Sequence, residues 1–599
     1  MKQNGEKPRG GWVKVILLTA VALAGGIAVG KWLLGGNAGD GKVWKASDEL
    51  QQMYSTPDGF NVVESNKAYE VELMSLYNDK LYNYDPVQDR LVPALAKGHE
   101  VSKDGKTWTF YLRPAETPDG TSLTAEDVVF SVNLCLDTKF NCKRRGNLTV
   151  GGKLVQPAVA GPLTVTFTLV EPYPSFLWAI SEVLIVPKSV YEPVSGSVEA
   201  FRRAVGVQQP EARFLSGFGP YKVENVDTQE IRLERNERFW GRGDDKDPKP
   251  RLKRIVLSLR KTGATLDMDF RSNKNFTYRL IGPGEAERLR EDSQFQVLDR
   301  GLSGWCMFWW INQNPKAPWA KEAPERLKLF QNPEFRRALA RAIDRDEVIR
   351  RVFDGYAEPL YGPVSPTYVW STDTEKLKDL TPQAKAEGAL ADLAKLGVTP
   401  GEPGEGDVRW LTYLEGGKRV RLEIELRTNQ SEEDLRKKSA EVIAEQLRRI
   451  GLRVKVVEES FRDIVKRLDE TFDYEAALMF LEGSPNAATT KSMFVSAGDM
   501  HFFHPYQTAP GTEWEKDVDE GYQRFAIESD LVKQQKALDD VQKTWVKAQP
   551  VFYLLNDRKL VAVRRDFEVN GMALTGRAAD PILTRTVIEN VRLRVLAAK

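Results

Sequence analysis

The chain has 599 residues, too many for one hydrophobic core, so two to four domains are expected. Its 86 basic residues are balanced by 85 acidic ones, a net charge of +1, which argues against a polyanionic partner and so against nucleic acid. Hydrophobic residues make up 41%, ordinary for a globular protein, and three cysteines (Cys135, Cys142, Cys306) are too few for a disulfide scaffold.

At the N-terminus, Lys2, Lys7, Arg9 and Lys14 precede an apolar run from Val15 to Gly30. A basic region before an apolar core is an export signal. Trp12, Lys31 and Trp32 extend the run toward a spanning length, and Gly36-Asn37-Ala38 offers a cleavage site, so a cleaved signal peptide and an uncleaved membrane anchor both fit. Either way, residues from 40 onward are expected outside the cytoplasmic membrane. "GNAGDGK" (36–42) matches the spacing of a phosphate-binding loop, but Val43 stands where a Ser or Thr would hold magnesium, and it reads as a linker.

Beyond the linker, strands and helices mix. "KTWTFYLRP" (106–114) reads as a strand by its aromatic and branched content. "LTAEDVVFSVNLCL" (123–136) reads as a helix, with Thr124 as cap and Asp127 in the capping-box position. Cys135 and Cys142 are near enough to pair; spacing leaves bonded and free forms both open. "GPLTVTFTLV" (161–170) alternates as a strand, "GPYKVENVDTQEIRLERN" (219–236) reads as a β-hairpin, and "RLKRIVLSLR" (251–260) as another strand. "SGWCMFWWINQ" (303–313) is an apolar run too short for a membrane, hence a buried strand.

"NPEFRRALARAIDRDEVIRRVF" (332–353) reads as a helix opened by Asn332-Pro333. It carries Arg336, Arg337, Arg341, Arg345, Arg350 and Arg351, offset by Glu334, Asp344, Asp346 and Glu347, and the arginines are expected on a solvated, mixed-charge face. Two further amphipathic helices, 381–397 and 431–451, close at Gly397 and Gly451, and "LRVKVVEE" follows as a strand. Such mixing predicts an α/β protein with mixed sheets.

Familiar chemistry is scarce. The histidines are His99, His501 and His504; His501-x-x-His504 lacks the acids or cysteines that would complete a metal site and reads as a loop. With so few candidate general bases, no catalytic residue, cofactor or metal is expected, and an exported hydrolase is the remote alternative.

Four blocks in order resemble the extracellular solute-binding proteins of the oligopeptide and dipeptide type, the capture subunits of ABC importers. They are residues 90–133, with D-G-x-x-x-T-A-x-D-V after a strand; 216–241, a G-x-G-P-Y hairpin ending in R-N-x-x-F-W; 336–366; and 443–461. The resemblance implies a two-lobed periplasmic-binding-protein-like fold with a hinge. In it, lobe I is discontinuous (45–95, 210–305 and 545–599) with a subdomain at 96–209, and lobe II spans 306–544. The implied function is capture of a peptide or similar extended solute and its delivery to an ABC transporter permease by a monomeric receptor in the periplasm or outside the cell; a membrane-anchored sensor or processing factor on the same fold is the alternative.

The resemblance also suggests ligand-contacting residues. In "FDYEAALMFLEGSPNAATT" (472–490), Glu482 falls near the place of the family's amine-pairing aspartate, with Phe480 beside it where aromatic residues commonly stand. The aromatic strand before the 332–353 helix adds Trp305, Trp309 and Trp310 as candidate cleft walls. Alternation sends Trp309 and Trp310 to opposite faces, so at most one of that pair faces ligand.

Overall fold

β-Branched and aromatic runs fold as strands in the first part of the chain. They are β1 (Glu49–Ser55), β2 (Ala96–Val101), β3 (Thr107–Leu112), β4 (Gln156–Gly161), β5 (Thr164–Thr168), β6 (Tyr221–Val226), β7 (Glu230–Arg235) and β8 (Arg254–Arg260). Among the helices that stand between them are α1 (Ala68–Tyr77) and α2 (Ala125–Leu136). The computed structural model describes residues 44–570 except 66, 207–209, 242–249, 251, 261–262, 273–277, 404–408 and 431–434, and also 583 and 592–596. The N-terminal apolar run, read as an export signal or anchor, and the 36–42 stretch lie outside the described residues.

β6, β7, β8 and β1 form one four-stranded sheet in that order, with β1 parallel to β8. Segments some two hundred residues apart in sequence thus share one sheet, which makes this lobe discontinuous. β2, β3, β5 and β4 form a second, antiparallel sheet. α2 packs against β4 and β5 and starts with the expected capping box, the Thr124 amide donating to Asp127 at 2.7 Å.

Further along the chain come β9 (Tyr278–Ile281), β10 (Phe295–Ile311), α3 (Pro333–Arg341), α4 (Arg345–Val352), β11 (Glu423–Asn429), α5 (Leu435–Arg449), β12 (Arg453–Glu459), β13 (Ala476–Glu482), α6 (Glu513–Ile527), α7 (Leu531–Ala548) and β14 (Val551–Arg564). Their strands build a mixed sheet in the order β9-β14-β10-β13-β11-β12. β11 runs parallel to β12 and β13, while β10 is antiparallel to β13 and β14.

β10 has 17 residues and β14 has 14, and both cross between the lobes. Toward one lobe Phe295 and Leu560 enter a core with Phe270 and Ile281. Toward the other, Met307, Trp309 and Ile311 enter a core with Phe335, Leu339 and Phe552. Their neighbours Phe308 and Trp310 point to the opposite face, into a core with Tyr474 and Trp545. Pairing of β10 with β14 slips between Asp299 and Leu302 and again before Cys306, where the strands pass from one lobe to the other.

Three sequence readings are corrected. Residues 332–353 form two helices, broken where Asp344 caps α4 by accepting from the Glu347 amide at 3.0 Å. Their arginines are not all solvated: Arg336 is fully buried and Arg345 nearly so. Arg336 donates to the carbonyls of Phe330, Ala548 and Gln549 at 2.8–2.9 Å, stopping the C-terminal end of α7, while Arg345 donates to Tyr553 O at 2.8 Å. A helical pattern counts charges but does not see that a neighbouring helix end needs donors. The 381–397 pattern likewise forms a shorter helix, Ala386–Lys395, with Gly397 at φ +75° just beyond it.

Candidate functional site

A cavity of about 380 Å³ opens between the lobes. One wall comes from the start of α1 (Ala68, Val71, Glu72), from Tyr84 and Pro86, from Glu182, and from Lys143, Arg144 and Asn147 on a 3-10 turn, Lys143–Leu148. The other comes from the end of β13 and the segment after it: Glu482, Gly483, Ser484, Thr489, Thr490, Ser492 and Met500.

Local chemistry fixes both walls. Cys135 and Cys142 are disulfide-bonded across 5.4 Å between Cα atoms, immediately before the 3-10 turn. Arg144 donates to Val62 O and Val63 O at 2.8 and 2.7 Å, and Arg145 donates to Asp137 O at 2.6 Å. On the opposite wall Tyr368 donates to Gly483 O and the Trp370 indole to Ser484 O, each at 3.0 Å. Gly304 and Gly483 admit the Tyr368 ring by close approach: a Cβ on Gly304 would stand 2.1 Å from the phenol oxygen.

Glu482 is partly buried and stands in register with Trp305 across β13 and β10. Burial pushes its carboxyl up to about 7; Lys559 draws it down and Asp557 pushes it further up. Asp557 is itself raised by burial and accepts a hydrogen bond from Ser303. Lys559 Nζ lies 5.6 Å from the centre of the Trp305 ring, and the Trp305 and Phe480 rings meet edge to face at 5.7 Å. Burial pushes the Arg436 guanidinium, 5.8 Å over Phe480, down to about 10. The Trp305 indole N–H is buried with no hydrogen-bond partner among the described residues.

Glu482 lines the cavity, and Phe480 and Trp305 pack beside it. Trp309 and Trp310 do not join them. Trp309 is 1% exposed and stacked 4.1 Å from Phe552; Trp310 is 0% exposed and donates to the Tyr474 hydroxyl at 3.2 Å. Both are core residues, on opposite faces of the sheet. His501 is also core, its ring 3.4 Å from Glu515 Oε1, and among the described residues no group of three or more His, Cys, Asp or Glu could hold a metal. Sequence reasoning missed Lys143, Arg144, Asn147, Tyr368 and Trp370. Their signals are faint: a basic run directly after Cys142, and two rings after Ser365-Pro366.

A two-lobed α/β protein with crossing strands and a cleft between the lobes is the architecture of a solute receptor. The chain belongs to the bacterial extracellular solute-binding proteins of family 5, whose middle region matches residues 90–500. It is 24% identical over 375 residues to the dipeptide-binding protein of Escherichia coli (strain K12), covering 56% of this chain and 63% of that one. It is 26% identical over 359 residues to the probable ABC transporter periplasmic-binding protein SapA of the same organism, covering 57% and 60%. The chain therefore spans less than two thirds of the length of these relatives. Its fold is similar to that of the oligopeptide-binding protein AppA from Bacillus subtilis, solved with a nonapeptide, with a TM-score of 0.73 at 20% identity over 93% of this chain and 100% of that one. DppA from Helicobacter pylori in complex with the peptide STSA gives 0.69 at 17% identity, over 92% and 98%.

Proposed function

We propose that the chain captures a peptide or a similar extended solute between its lobes, outside the cytoplasm, and hands it to the permease of an ABC importer, taking no part in bond-making or breaking. The observation that carries this reading is the cavity walled by both lobes. A solute held there touches both walls at once, so its binding favours the closed arrangement of the lobes. The names of the relatives, dipeptide-binding and ABC transporter periplasmic-binding, support the same reading.

Within the site, Glu482 is the proposed counter-charge for a primary amine, Trp305 offers an unspent N–H, and Phe480 supports the Trp305 ring. The N-terminal apolar run serves export or anchoring. Among the described residues no helix is long and apolar enough to cross a membrane.

The test is calorimetry on the purified chain, freed of bound solute by unfolding and refolding, against dipeptides, tetra-alanine, an N-acetylated tetrapeptide and neutral disaccharides. Binding of free-amine peptides is expected. Binding of disaccharides with no response to any peptide would overturn the reading.

A further inference from the structure

Three polar contacts join the disulfide-anchored turn to the opposite wall. Lys143 Nζ lies 3.0 Å from Asp469 Oδ2 and 3.1 Å from Asp499 Oδ2. Asn147 donates to Thr489 O at 3.2 Å, and Lys491 donates to Thr149 O at 3.4 Å. The first differs in kind, because one ammonium serves two carboxylates. Asp469 belongs to a turn, Arg467–Thr471, leading into β13, and Asp499 to the segment between β13 and α6. Without the lysine these two acids face each other with like charge.

Lys143 cannot follow them independently of its own lobe. Its turn is tied on one side by the Cys135–Cys142 bond and on the other by the carbonyl contacts of Arg144 and Arg145. The side chains of Lys143, Asp469 and Asp499 are 17%, 22% and 21% exposed, so salt screens the contact less than it screens surface pairs.

We propose that Lys143 is an electrostatic latch between the lobes: it meets Asp469 and Asp499 when the cleft shuts, and so sets how much of the closed form is populated before any solute arrives. Burial works against the charged lysine, but the two aspartates outweigh it and hold the amine above the ordinary lysine range. Because apparent affinity scales with the fraction of receptor in the binding-competent form, the latch tunes affinity for every solute together rather than selecting among them. That effect on affinity rests on the proposed receptor function; the effect on lobe separation does not.

The experiment is resonance energy transfer between dyes placed by Val159→Cys on β4 and Lys395→Cys on the helix Ala386–Lys395, in the full chain stripped of solute. Val159 is 49% exposed, the Lys395 side chain is 74% exposed, and the free Cys306 is buried. Lys143→Met is expected to lower the closed-to-open ratio roughly tenfold, equivalent to about 1.4 kcal/mol, with Lys143→Arg retaining most of it. The pair Asp469→Asn with Asp499→Asn removes the same contact from the other side and is expected to open the lobes as well. Circular dichroism confirms that each variant folds; where one does not, the other carries the test. Unchanged transfer in the folded variants would overturn the latch. Unchanged transfer on adding tetra-alanine, alongside a working latch, would count against peptide capture alone.

Discussion

Trp305 and Glu482 stand directly opposite each other on antiparallel β10 and β13, where β10 turns toward the other lobe. A carboxyl placed against an indole loses water on one side, and Asp557 nearby adds like charge. The group is therefore raised into the physiological range.

Unfolding returns Glu482 to the ordinary 4.5, whereas in the fold it is about 7. Between these values the folded chain holds a proton that the unfolded chain has lost, so this contribution to stability is complete below pH 4.5 and is lost as pH rises through 7. Glu482→Gln should be the more stable protein at pH 8, by on the order of 1–3 kcal/mol, and nearly equal to the parent at pH 4.5. Urea titrations at both pH values check this.

The same substitution is expected to weaken a free-amine peptide by roughly ten- to a hundred-fold, as for loss of one charge-assisted hydrogen bond. In the parent, amine affinity should rise from pH 6 to pH 8 as Glu482 ionises. Calorimetry on the variant showing parental affinity and a parental pH profile would remove Glu482 from the site.

Arg336→Met leaves two main-chain carbonyls at the end of α7, and that of Phe330, without their donor. Stability should fall by about 2–4 kcal/mol, and Arg336→Lys should recover little, since an ammonium cannot span three divergent carbonyls. Arg351→Ala, on the exposed side of α4, should leave stability essentially unchanged. Denaturant midpoints of the three variants decide it.

Replacing Cys135 and Cys142 together by serine should cost about 2–3 kcal/mol, the loop-closure value for a short bridge. The loss should match that produced by dithiothreitol on the parent when each is followed by thermal melts.

Trp309→Ala empties a ring stacked on Phe552 and should cost about 3–5 kcal/mol. Trp305→Ala should cost clearly less in melting temperature, while changing peptide affinity in calorimetry.

The capping box at Thr124, the hairpin of β6 and β7 and the buried strand at 303–311 were legible because each is written in adjacent residues. The alternation of Trp309 and Trp310 was legible too, but not that both faces of β10 are covered. That depends on Phe552 and Tyr474, which lie far away in sequence. Arg336 was misread for the same reason: two of its three partners belong to a helix end some two hundred residues later. Most of the cavity's polar wall was illegible, because Lys143 and Asn147 acquire meaning only from Asp469, Asp499 and Thr489 on the facing wall.

β10 and β14 cross between the lobes side by side and hydrogen-bonded to each other. A pair of joined strands yields to bending across its flat face far more readily than to shear within it, because shear would break the ladder. In the proposed receptor such a pair would favour one arc of closure. A receptor of the proposed kind would show the same outer face whatever it had caught, and a partner that recognises the shut form would need no knowledge of the cargo.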